Sequence, residues 1–171
     1  MPNHCDNDLT VAGAVEDVQE FEKFAAGGED TATETQPIDF NKFIPYPAKF
    51  GEQDERAAAA KKIPGAEYVN DGFNSGGYEW CIANWGTKWN AYSQSVDAPE
   101  DWEGERELCY HFETAWAPPE PIIRAMAERF DKLSFTLRYF ERGAAYNGIL
   151  QIEKGEVTAQ DQGSYYGTRG G

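Results

Sequence analysis

Twice along this chain an alternating run of apolar residues gives way, within a few positions, to a stripe of helical period. That pairing excludes an all-helical or an all-strand fold. In the first instance residues 8–12 read as a short strand with Leu9 and Val11 on one face. After Gly13, the residues Val15, Val18, Phe21, Phe24 and Ala25 recur at the spacing of a buried helix face. Glu16 and Asp17 fall in the first turn, where the helix dipole favours anions, and Gly27-Gly28 is a stop signal. In the second instance Leu108, Tyr110 and Phe112 alternate with Glu107, Cys109 and His111 over residues 107–114. Pro118, Pro119 and Pro121 then open a helix whose apolar stripe is Ile122, Ile123, Met126, Ala127 and Phe130. A strand follows over residues 133–140, with Leu133, Phe135, Leu137 and Tyr139 on one face.

Between these two blocks the pattern is weaker. Residues 29–80 read as an irregular insertion, with loop at 31–36 and a short helix over 52–62 that Pro64 ends. The apolar stretch from Phe40 to Pro47 is broken by two prolines, so it predicts a segment packing aromatics onto a sheet edge. Residues 79–85 predict a short helix closed by Gly86, and residues 87–96 a strand. An acidic loop at 97–106 joins that strand to the next. Residues 148–153 and 156–159 predict a hairpin turning at Lys154-Gly155, and residues 163–171 a flexible tail. The resulting order, strand-helix-strand-strand-helix-strand, is the split βαβ or ferredoxin-like plan. The expectation is therefore an α+β domain over 1–162, with an antiparallel sheet, two helices on one face, the insertion at 29–80 and a C-terminal hairpin. At 171 residues the chain has the size of one domain.

Charge bounds the partners. Residues 1–40 hold ten acids against one base, Lys23, and residues 97–113 hold seven more against Arg106. Together they account for the whole net charge of −15, since the other stretches balance. A field of one sign steers basic partners inward and repels nucleic acid and anionic membranes. On the split βαβ plan both acidic stretches fall on adjacent parts of one surface. Glu16, Glu20, Glu22, Glu100, Asp101, Glu103 and Glu105 are the expected partner contacts.

Residues able to do chemistry are few. Cys5, Cys81 and Cys109 are widely spaced and suit reduced thiols in a cytosol, and no ligand spacing predicts a metal. Cys5 is the one thiol with a neighbouring histidine, but strand neighbours point to opposite faces. No nucleophile elbow, P-loop or dinucleotide fingerprint is present, so neither an enzyme nor a cofactor is expected. Read as a strand, Trp85, Thr87 and Trp89 share one face, near Trp116, Asn3 and Asn7, with Lys88 as the available cation. Such a set is either a tryptophan core or, alternatively, a small-ligand site. Sheet aromatics also suit RNA stacking, but that needs a positive surround, which this chain lacks. No run approaches the roughly 20 apolar residues of a membrane span, and the first residues lack the features of a signal peptide.

Several motifs in order resemble a known family. Met1-Pro2-Asn3-His4-Cys5-Asp6-Asn7-Asp8-Leu9-Thr10-Val11 is similar to an opening M-P-N-x-C-x-N-x-L-x-V. Phe40-Asn41-Lys42-Phe43-Ile44-Pro45-Tyr46-Pro47, the Trp85-Gly86-Thr87-Lys88-Trp89 core and Phe112-Glu113-Thr114-Ala115-Trp116-Ala117-Pro118-Pro119 continue the match. Together they resemble the YubB ferredoxin-like family of phages and conjugative plasmids. The resemblance implies a ferredoxin-like fold and a mobile-element origin, and it implies no reaction. With the charge pattern, it leads to an expected function. That is a cytoplasmic accessory or counter-defence factor in a bacterial host cell, of anti-CRISPR or anti-restriction type. Its acidic surface engages a basic, nucleic-acid-handling host protein as a nucleic-acid mimic.

Overall fold

A computed structural model describes residues 3–28, 36–99 and 101–164. Its centre is β1 (His4–Ala14), where alternation puts Cys5, Asn7, Leu9 and Val11 on the buried side. β1 lies between β3 (Glu105–Ala115) and β4 (Ser134–Glu141), antiparallel to both, with Leu9 opposite Tyr110 on one side and Leu137 on the other. β2 (Tyr92–Asp97) extends the sheet beyond β3. On the opposite side β5 (Tyr146–Glu153) and β6 (Glu156–Ser164) follow β4, giving the order β2-β3-β1-β4-β5-β6. The first four strands form two interleaved split βαβ units, as the sequence predicts.

The two stripe-bearing helices cover one face of that sheet. α1 (Val15–Ala25) buries Val18, Phe21 and Ala25, and α4 (Glu120–Arg129) buries Ile122, Ile123, Met126 and Ala127. Phe21 is the hinge pin of the core. Its ring centre lies 5.3 Å from that of Phe130, 5.6 Å from Phe135 and 6.0 Å from both Phe43 and Tyr110. The contacts with Phe130, Phe135 and Tyr110 are edge-to-face, which suits aromatic quadrupoles. The helix α1 ends at Ala25, just ahead of its glycines as expected: Ala26 is already extended, and Gly27 N–H donates to the Gln36 carbonyl at 2.8 Å.

The insertion is more ordered than its sequence predicts. α2 (Ala48–Lys61) starts four residues before the expected 52, because Pro47 at its N-cap fixes the entry and lacks only a donor the helix cannot use. Residues 31–35, read as loop, lie outside the described residues. The proline-broken segment does cover a sheet edge. The Gln94 side-chain amide on β2 donates to the Ile38 carbonyl at 2.9 Å and accepts from its N–H at 2.8 Å. Asn90 accepts from Phe40 N–H at 3.0 Å, and both Ile38 and Phe40 are buried.

One expectation fails here. The strand read over 87–96 begins only at Tyr92, and residues 86–89 form bends. Trp85 is instead the last residue of α3 (Gly77–Trp85), so Trp85, Thr87 and Trp89 share no strand face. The cause is local. Gly86 takes a left-handed φ of 79° and caps α3 by donating to the Ile82 carbonyl at 3.2 Å. Buried Thr87 then donates from Oγ1 to the Ala115 carbonyl at 2.9 Å, which pins the turn to the end of β3. A Cβ at position 86 would sit 2.7 Å from Pro121 Cδ. Gly86→Ala therefore combines backbone strain with a clash and is expected to cost about 1–3 kcal/mol in chemical denaturation. At the other end of the chain β6 continues to Ser164, so residues 163 and 164 belong to the sheet rather than to the tail. Residues 165–171 lie outside the described residues. The hairpin turns at Lys154-Gly155 as predicted, with φ of 52° and 76°.

Candidate functional site

The expected contact acids divide into two groups. Glu16 and Glu20 point outward from α1, and Glu103 and Glu105 are exposed at the β2–β3 connection. None of these four has an ion pair among the described residues. Glu22 and Asp101 are already engaged by Arg106. Its guanidinium meets Asp101 through Nε at 2.7 Å and Nη2 at 3.2 Å, and Nη1 lies 3.9 Å from Glu22. The hydrogen bonds from Arg106 hold the Asp101 carboxyl below its ordinary range. Val15 N–H donates to the Gly104 carbonyl at 3.1 Å, so the loop is tied to the start of α1. The structure thus joins the two acidic stretches at this end, with Trp102 standing 74% exposed beside them. Glu100 lies outside the described residues.

A second group of acids escaped the expected set. On the sheet face away from α1 and α4, β1 presents Asp6 and Asp8, β3 presents Glu107 and Glu113, and β2 presents Asp97. The register sets Asp6 directly opposite Glu113, a pairing of like charges that destabilises a sheet. Arg142, 3.8 Å from Asp6, and His4, 3.3 Å from Glu113, offset part of it. His111 Nδ1 lies 2.6 Å from Asp8 Oδ1 and its Nε2 lies 3.4 Å from Asp97, so carboxylates flank both ring nitrogens. A cavity of about 590 Å³ opens at one end of this face, lined by Asn3, His4, Asp6, Glu113, Glu141 and Arg142 among others. The signal was present in the sequence for four of them: Asp6, Asp8, Glu107 and Glu113 occupy the polar positions of the runs that define β1 and β3, while Asp97 ends β2.

The expected aromatic cluster is split. Trp85 is only 4% exposed, and its Nε1 donates to the Ile44 carbonyl at 2.8 Å while its ring packs on Trp80, Phe40 and Tyr46. It belongs to the core. Buried Asn7 donates to the Cys5 carbonyl and to Thr114 Oγ1, both at 2.9 Å, inside the same layer. Lys88, Trp89 and Trp116 do come together. The Lys88 ammonium lies 4.7 Å from the Trp116 ring centre, 4.9 Å from Trp89 and 5.7 Å from Tyr78. Asn3 contributes its carbonyl, which accepts from Trp116 N–H at 2.9 Å.

Cys5 is fully buried, and burial pushes its thiol up to about 12; His4 turns to the other face, against Tyr92 and Glu113. Cys81, also buried, is pushed up to about 11. Both thiols keep their protons in the folded chain, whereas unfolded thiols ionise near 9.0. Their stabilising contribution is therefore complete below pH 9 and is lost as pH rises through the folded values. A melting temperature that is flat up to about pH 8.5 and falls above it is the expected result, at about 1.4 kcal/mol per pH unit per thiol.

The strand order, register and paired helices define a ferredoxin-like α+β protein. Residues 85–167 match the family model described as the ferredoxin-like domain in Api92-like protein. The crystal structure of protein api92 from Yersinia pseudotuberculosis is similar to this chain with a TM-score of 0.55 at 10% identity, over 98% of this chain and 99% of that one. No curated protein matches. No helix among the described residues is long and apolar enough to cross a membrane.

Proposed function

We propose that this is a non-enzymatic acidic binding protein that engages a basic, nucleic-acid-handling host protein and occupies the site that phosphates use. The observation that carries this reading is the convergence of both acid-rich stretches on β3. Its loop end, paired with the Ala12–Ala14 end of β1, bears Glu105 and Glu107 on the face away from the helices, and its far end bears Glu113 opposite Asp6 on that same face. Like charges held opposite one another cost stability, and a partner's cations are what would recover it. The reading also carries the setting implied by the YubB-like motifs: a phage or conjugative plasmid, with the protein acting in the host cytoplasm as an accessory or counter-defence factor. Affinity capture of the tagged protein from a bacterial host, with washes of rising salt, tests it. Exposed charges are screened within about 8 Å at physiological ionic strength. The expected result is a nucleic-acid-binding protein that is retained at low salt and elutes as salt rises. A partner that resists salt, or one that does not bind nucleic acid, would overturn the reading.

A further inference from the structure

Lys88 stands apart from the other bases among the described residues because three aromatic rings surround its ammonium. Trp116 and Trp89 lie within 5 Å and Tyr78 within 6 Å, the range in which a cation is attracted to a ring face. The rings are themselves braced. Tyr78 meets Trp116 edge-on at 6.1 Å and packs on Phe73, while Trp89 packs against Tyr92. Trp116 is held in a left-handed backbone conformation, φ 71°, which a bulky residue adopts only under constraint. Two bonds from distant elements impose it: Trp116 N–H donates to Asn3, and Tyr146 Oη donates to the Trp116 carbonyl at 2.8 Å. The indole is left 39% exposed.

Lys88 makes no hydrogen bond in this cage. Among the described residues no carboxylate, carbonyl or hydroxyl takes any of the three Lys88 N–H donors. A primary ammonium leaves its N–H donors without a protein partner at this site. A cation with no N–H at all suits it better. The geometry points to an aromatic cage for an N-methylated ammonium, such as a trimethylated lysine or a choline-type headgroup, which Lys88 occupies until the ligand displaces it. This site adjoins the acidic cavity through Asn3 and Tyr92 but does not depend on its function.

Because Lys88 competes from within the chain, it lowers the apparent affinity by the fraction of time it fills the cage. The probe is tetramethylammonium, titrated against the full chain while the indole N–H signals of Trp89 and Trp116 are followed by NMR. Lys88→Ala is expected to bind at least about tenfold tighter than the unmodified chain. Lys88→Gln, which retains the first two methylenes of the stem, serves if the alanine variant is unstable. Adding Trp116→Leu to either variant should abolish binding, and ammonium ion should bind less well than tetramethylammonium. If folded Lys88→Ala and Lys88→Gln take up tetramethylammonium no better than their Trp116→Leu counterparts, the cage is only a structural clasp and the proposal fails.

Discussion

Phe21→Ala is expected to cost about 3–5 kcal/mol of folding free energy, the largest effect of any single substitution considered for this chain. Phe21 is fully buried and is the ring through which α1 meets both β3 and β4, by way of Tyr110 and Phe135. Removing it leaves a cavity bounded by the sheet, by Phe43 of the insertion and by Phe130 at the end of α4. Those neighbours sit on four separate elements, so the void cannot be closed by moving one of them. Urea denaturation should show a lower midpoint with an unchanged slope. A loss under 1 kcal/mol would mean that α1 is not anchored through this residue.

Reversal of charge on the open sheet face is expected to have the largest effect on binding. Glu107→Lys with Glu113→Lys changes β3 at two positions whose side chains face solvent, so the core residues Leu108, Tyr110 and Phe112 keep their packing. The affinity for the captured basic partner should fall about a hundredfold at low salt, roughly 2.7 kcal/mol, chiefly through slower association. The same pair of changes removes the like-charge contact between Asp6 and Glu113, so thermal stability should hold or rise. Reversal at Glu16 and Glu20 probes the α1 surface separately. Together the two variants assign the partner to one face or to both.

Much of this architecture is legible in the sequence because its elements obey one period each. Leu9 and Val11, Leu108 to Phe112, and Phe135 to Tyr139 alternate strictly, and the stripes of α1 and α4 are uninterrupted. The stretch from Trp85 to Trp89 is not legible in the same way. Its large and small residues alternate as in a strand, yet Gly86 ends a helix there, and the bond from Thr87 to Ala115 that settles the matter comes from 28 positions away. The Gln94 and Asn90 contacts to Ile38 and Phe40 are likewise tertiary, and no local pattern announces them. β6 was foreseen only in part. Past Ala159 its residues are polar, and pairing with the free edge of β5 holds them extended. At the candidate site, Glu16, Glu20, Glu103 and Glu105 are legible as acids of a helix face and a loop. The strand acids Asp6, Asp8, Asp97, Glu107 and Glu113 lie in the same charge-rich stretches, and all but Asp97 fall on the polar side of the alternation in β1 and β3.

The most direct test of the central claim is competition for a single site. A short DNA duplex bound to the captured partner is titrated with this protein, and release of the duplex is followed by fluorescence anisotropy. The expected result is stoichiometric displacement that weakens as salt rises and is lost with Glu107→Lys and Glu113→Lys. A partner that holds its DNA undisturbed while this protein is bound would contradict the claim that the acidic surface stands in for phosphate.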